Sequence, residues 1–141
     1  MKASSILGIN ARTVGFSYRV NTARGKKVAD SKLQSAWVLK KAGIASPGIF
    51  YKFRKPEDVL RFNWESFPSQ FALKPSRGMG GEGIIIVKKK ALDGNGWITT
   101  QRVRVTVDDL KLHTLDILEG AYSMGNVPDV AFIQEYVGRH K

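Results

Sequence analysis

Four glycines in six residues, Gly78-Met79-Gly80-Gly81-Glu82-Gly83, restrict this chain more than any other feature, because of what stands on either side of them. Before the loop, Phe71-Ala72-Leu73-Lys74 reads as a strand, closed by Pro75; after it, Ile84-Ile85-Ile86-Val87-Lys88 is a β-branched run. Gly78, Gly80 and Gly83 satisfy the spacing G-x-G-x-x-G, but a dinucleotide fold needs a helix springing from that loop, and Ile84 to Val87 reads as strand. A P-loop is excluded too, since no Gly-Lys-Ser/Thr closes the motif. What remains is a strand, a glycine loop and a second strand, forming a hairpin.

The tip of such a hairpin lets backbone N–H groups close over phosphate oxygens without obstruction by Cβ atoms. Lys74 precedes the loop and brings an ammonium beside it. A protein-kinase loop has the same topology, but its lysine lies on the next strand and its catalytic motifs follow downstream; none is present here. A formal charge of +11 makes the surface attractive to polyanions, among them nucleic acid, anionic lipid and a nucleotide's triphosphate.

With 141 residues, 43% of them apolar, and five prolines, the chain can close one modest core. It has no cysteine, which excludes disulfides and thiolate metal sites, and two histidines, His113 and His140, give no basis for a zinc centre. The longest apolar run in mid-chain, Ile84 to Val87, is far short of the roughly 20 residues that span a bilayer. Asn10 and Arg12 interrupt the first residues before a signal-peptide core forms, so a cytoplasmic location is expected.

From Met1 to Lys27 the chain mixes Gly, Arg, Asn and Ser without period and reads as a short strand-like piece followed by loop. Asp30 stands as the N-cap of a helix with Leu33, Ala36, Trp37 and Lys40 at helical spacing, closed by Gly43 and Pro47; Trp37 is expected in the core. Ile49 to Phe53 is β-prone, and Pro56 opens a short helix through Phe62. Phe62, Trp64 and Phe67 are expected to pack on a neighbouring helix rather than stack on a base, and Lys88-Lys89-Lys90 to be a solvated strand end. Asp93-Gly94-Asn95-Gly96 is turn chemistry between antiparallel segments, followed by Trp97 to Thr100 and Arg102 to Val105.

Thr106 and Asp109 form a capping box, and Leu110, Leu118, Ala121 and Tyr122 share a helical face that Gly125 and Pro128 end. His113 falls within the helical stretch and His140 in the tail, and neither has a partner that would make it catalytic. Val130 to Val137 reads as the last strand. The class expected is α+β, with a mixed or antiparallel sheet, a glycine-rich hairpin and packed helices.

Three further sets of residues join Lys74-Pro75 and the loop: Ile6-Leu7-Gly8-Ile9-Asn10; Asp30-Ser31-Lys32-Leu33 with Ala42-Gly43-Ile44 and Pro47; and Phe132-Ile133-Gln134-Glu135-Tyr136-Val137. Together they resemble the ATP-grasp superfamily, and within it the alpha-L-glutamate ligase-like proteins, over nearly the whole chain. The resemblance implies the N-terminal part of an ATP-grasp fold, with residues 1–47 as an N-terminal segment and helix. Residues 48–141 would form a nucleotide-binding subdomain that stops after the adenine-hinge strand.

By the same resemblance Lys32 reaches the α-phosphate of ATP and Lys74 the α- and β-phosphates, while Gly78, Gly80, Gly81 and Gly83 form the flap over the β- and γ-phosphates. Ser76 and Arg77 fall in the same site, with Arg77 a further phosphate partner. Glu135 would accept from the adenine amine, next to Gln134, and the backbone at Tyr136 and Val137 would pair with the ring edge. ATP-grasp ligases join a carboxylate to an amine through an acylphosphate, with magnesium bridging the phosphates.

The magnesium ligands belong to a C-terminal segment of the family. Asp108, Asp109, Asp116 and Glu119 do not match them, so Mg²⁺ is expected only with that half, and this chain alone is expected to be catalytically incomplete. Self-association, or a partner covering the open last strand, is expected in its place. A different class also fits the charge, a small basic nucleic-acid-binding module, although no RRM, KH, zinc-finger or homeodomain signature is visible.

Overall fold

A computed structural model describes residues 6–138 of the chain. Its centre is a six-stranded sheet in the order β1-β6-β2-β3-β4-β5, every neighbouring pair antiparallel. The strands are β1 Ile49–Phe53, β2 Phe71–Pro75, β3 Ile85–Lys90, β4 Trp97–Thr99, β5 Arg104–Val105 and β6 Ala131–Gln134. The chain is therefore α+β, consistent with part of an ATP-grasp fold, and the glycine loop joins the adjacent strands β2 and β3 as the residue pattern requires.

The last strand in sequence lies second in the sheet, between β1 and β2, with Phe132 opposite both Lys52 and Lys74. Since side chains alternate across a strand, Lys52, Phe132, Lys74 and Ala72 share one face, while Phe53, Ala131, Ile133, Leu73 and Phe71 share the other. The second face is the main core. Phe53 stacks on Trp64 with centroids 5.3 Å apart, and the Trp64 indole donates to the Val59 carbonyl at 3.2 Å. Phe62 and Phe67 pack beside them, as foreseen. Burial of each such side chain stabilises the fold by about 1.5–3 kcal/mol.

Helix α6, Val107–Glu119, covers this core with Leu110, Thr114, Ile117 and Leu118, one stripe at helical spacing. Its capping box forms as expected: the Thr106 hydroxyl accepts from the Asp109 N–H at 3.2 Å, and the Asp109 carboxylate accepts from the Thr106 N–H at 2.8 Å. The helix stops at Gly120, in the left-handed region at φ 90°, rather than running on through Ala121 and Tyr122 to Gly125 and Pro128.

The N-terminal segment departs most from expectation. In place of a strand-like piece and loop, Ile9–Arg12 (α1), a π-helical stretch Thr13–Ser17 and Tyr18–Val20 (α2) run in series, and Ala23–Asp30 (α3) follows. Residues 1–5 and 139–141, and His140 with them, lie outside the described residues. Gly8 stands as the extended N-cap of α1, while Asn10 and Gly15 carry breaker signals inside the helical series. Asp30 ends α3 and does not cap the next helix; Ser31 does, its hydroxyl accepting from the Gln34 N–H at 3.2 Å to start α4, Lys32–Lys41. Trp37 on α4 is 56% exposed, not core. Helix α5, Pro56–Arg61, stops one residue short of Phe62. Among the described residues no helix is long and apolar enough to cross a membrane.

Candidate phosphate-binding site

Strand β2 and helix α4 converge on the start of the glycine loop. Ser76, the residue after β2, is buried; its carbonyl accepts from the Lys32 N–H at 2.8 Å, its N–H donates to the Val130 carbonyl at 2.9 Å, and its hydroxyl lies 2.9 Å from that of Ser31. These bonds satisfy Ser76 internally and fix the first turn of α4 against the loop. The Lys32 ammonium in turn donates to the Gly78 carbonyl. Expected as a phosphate contact, Ser76 here is the pin that holds Lys32 in place.

Lys74 points from the same sheet face, and its ammonium donates to the Gln134 side-chain oxygen at 2.8 Å. Burial lowers its pKa, and the nearby positive charge of Lys32 lowers it further. Burial lowers the pKa of Lys32 as well, against the attraction of Asp129 and Asp30. Two half-buried ammonium groups that disfavour each other's charge make a place where an anion gains from both. The structure thus brings Lys32, Lys74 and the loop together, as the sequence suggested.

Within the loop, Gly80 and Gly81 take φ of 64° and 86°, a region that side-chain-bearing residues enter at a cost, and an added Cβ at either would meet nothing within 4 Å. Their backbone is therefore both left-handed and open to a ligand. Gly83 is different: a Cβ there would lie 2.6 Å from the Tyr122 ring. Beside it, the Gly83 carbonyl lies 2.8 Å from His113 Nε2, and His113 Nδ1 lies 3.2 Å from the Tyr122 hydroxyl. A carbonyl only accepts, so Nε2 carries the proton, and in the neutral ring Nδ1 accepts from Tyr122. His113 thus braces the far end of the loop from α6.

Arg77 is half-buried, and its backbone N–H donates to the Asp129 carboxylate at 2.7 Å. Neither Asp129 nor the His113–Tyr122 brace was legible beforehand, for each meets the loop across dozens of residues; the one local hint was Pro128-Asp129, a turn signal just before a strand. The last strand is shorter than the expected Val130 to Val137. Strand β6 ends at Gln134, so Glu135, Tyr136 and Val137 lie beyond it. The Glu135 N–H donates to the Gly48 carbonyl at 2.8 Å, and its carboxylate accepts from the Gly48 N–H at 3.0 Å. That double clamp ties the end of β6 to the approach to β1 and ends the ladder there. Among the described residues no three acidic, histidine or cysteine side chains gather into a group fit to hold a metal.

An antiparallel hairpin with an open glycine tip, flanked by two converging ammonium groups, defines an anion-binding α+β module of the nucleotide-phosphate type. The chain belongs to the sugar-transfer associated ATP-grasp family, whose family model matches residues 11–141. No curated protein and no solved structure matches it.

Proposed function

We infer that this chain binds ATP as the nucleotide-binding part of an ATP-grasp, ligase-like protein. The single observation that carries the reading is the convergence of the Lys32 and Lys74 ammonium groups on the glycine loop, where Gly80 and Gly81 leave the backbone open. Lys32 and Lys74 neutralise the phosphates, and the backbone amides of Gly78 to Gly83 close over them. Lys74 exchanges its bond to Gln134 for a phosphate oxygen.

The adenine edge lies past β6, at Glu135 and the backbone of Tyr136 and Val137, and base binding replaces the Glu135–Gly48 clamp. When bound, ATP supplies a phosphoryl group that activates a carboxylate. The residues described here bind and orient it. The finer reading, carboxylate–amine ligation of the alpha-L-glutamate ligase-like kind, is supported by the sequence resemblance. The matched family is described as associated with sugar transfer.

Isothermal titration with ATP tests the binding claim. Saturable heat is expected, with affinity weakened about tenfold or more by Lys74→Ala, the scale of one charge-assisted hydrogen bond. Absence of saturable heat, or identical traces for wild type and variant, contradicts it.

A further inference from the structure

The sheet face that carries Lys74 continues across β3 to β5, and it stays basic. Ala72 lies opposite Ile86, so Lys74, Ile86 and Lys88 project to one side. Between Val87 and Lys89 the β3–β4 ladder slips. Lys90 therefore falls opposite Trp97, its ammonium 6.0 Å from the ring centroid and bonded to the Glu65 carbonyl at 3.1 Å, on the core side. Lys89 falls opposite Ile98, and Ile98 opposite Arg104, which leaves Lys88, Lys89 and Arg104 together on the open side.

With Thr99, Thr100 and Arg102 these residues line an open cleft of about 790 Å³, a size that suits a small molecule. One acid borders it, Asp93, and its carboxylate is already paired with Arg104 at 2.8 Å. Lys88, Lys89 and Arg102 are exposed and make no ion pair among the described residues.

A second observation is independent of charge. Arg102 sits at φ 64°, in the left-handed region, inside a tight turn where the Thr99 carbonyl accepts from its N–H at 3.0 Å and the Thr99 N–H donates to the Val103 carbonyl at 2.9 Å. Glycine or asparagine would hold that conformation at lower cost. A long cation where the backbone disfavours it, on the wall of a basic cleft, carries a conformational cost that contact with a ligand would offset.

We propose that the cleft of β3–β5 is a second anion site, separate from the glycine loop, which takes a small molecule bearing at least two negative charges. Lys88, Lys89 and Arg102 supply the countercharge, the Thr100 hydroxyl supplies a hydrogen bond, and Ile98 supplies an apolar contact. The site does not depend on nucleotide binding at Lys32 and Lys74. The charges come from a phosphoester or from a dicarboxylate, and two probes separate these sources.

The test is an amide-resolved NMR titration of the full chain with pyrophosphate and, separately, with succinate. Saturable shifts at Thr99, Thr100 and Arg102 are expected with at least one probe, and they persist in Lys74→Ala and under saturating ATP. Arg102→Gly removes the cation while relaxing the turn, so the melting temperature holds or rises while affinity falls about tenfold. Lys88→Glu gives the same loss without touching the turn, and serves should Arg102→Gly fold poorly.

Shifts confined to Gly78–Gly83, loss on Lys74→Ala, absence of saturation, or unchanged binding by both cleft variants overturn the proposal. So does a short oligonucleotide that occupies these residues more tightly than either small anion. An ATP titration of the same variants reports the nucleotide site independently, so failure of one site is read apart from failure of the other.

Discussion

Lys74, proposed above to bind phosphate, stands in tension with the fold that carries it. Its folded-state pKa lies below the unfolded value, so the unfolded chain binds more protons there, and stability from this group rises with pH through the window between the lowered and the ordinary lysine value. At neutral pH the charge is a burden, made larger by Lys32. Lys74→Met is therefore expected to raise the melting temperature of the ligand-free protein while weakening ATP, measured by thermal melts and titration on one preparation. ATP affinity is expected to fall as pH climbs through the lowered Lys74 value, because the neutral amine no longer offsets the phosphate charge. Gly83 is a residue of the opposite kind, set by space: Gly83→Ala places a methyl 2.6 Å from the Tyr122 ring at φ 70°, and urea unfolding is expected to show a loss of about 2 kcal/mol.

Among elements, α6 does two jobs: Leu110, Ile117 and Leu118 close the core, and His113 braces the glycine loop from its exposed side. Thr106→Ala removes the cap of α6 and is expected to destabilise the protein by about 1 kcal/mol in denaturant unfolding. Tyr122→Phe keeps the packing but removes the bond to His113, so amide exchange at Gly83 and Ile84 is expected to quicken while the core amides of β2 and β6 hold. Elements whose signal is local were legible in the sequence: the Thr106–Asp109 box, the Asp93–Gly96 turn and the hairpin from Phe71 to Val87 all stand where the residues put them. Lys32 and Lys74, placed at the loop by resemblance, do meet there.

What was hidden depends on long-range partners. The end of β6 at Gln134 is set by Gly48, and the restraint on Arg77 by Asp129; neither pairing leaves a trace in spacing. The helical series from Ile9 was misread for another reason. Its apolar residues face outward, so no amphipathic period marks it.

At the scale of the whole molecule, two surfaces stand out. The N-terminal helices expose Ile9, Phe16, Tyr18 and Val20, and α4 exposes Trp37, an extent of apolar surface that favours contact with another chain. Light scattering during gel filtration is expected to show concentration-dependent association, reduced by Phe16→Ser with Trp37→Ser. The other surface is the basic sheet face carrying Lys74, which with Lys32 of α4 and the glycine tip makes up the proposed phosphate site. The most direct test of that site is an amide-resolved ATP titration of the wild type and of Lys74→Ala. The largest saturable shifts are expected at Gly78 to Gly83 and at Lys74, and they should disappear or move to much higher ATP in the variant. Shifts that leave the loop untouched, or that persist unchanged without the Lys74 ammonium, would contradict it.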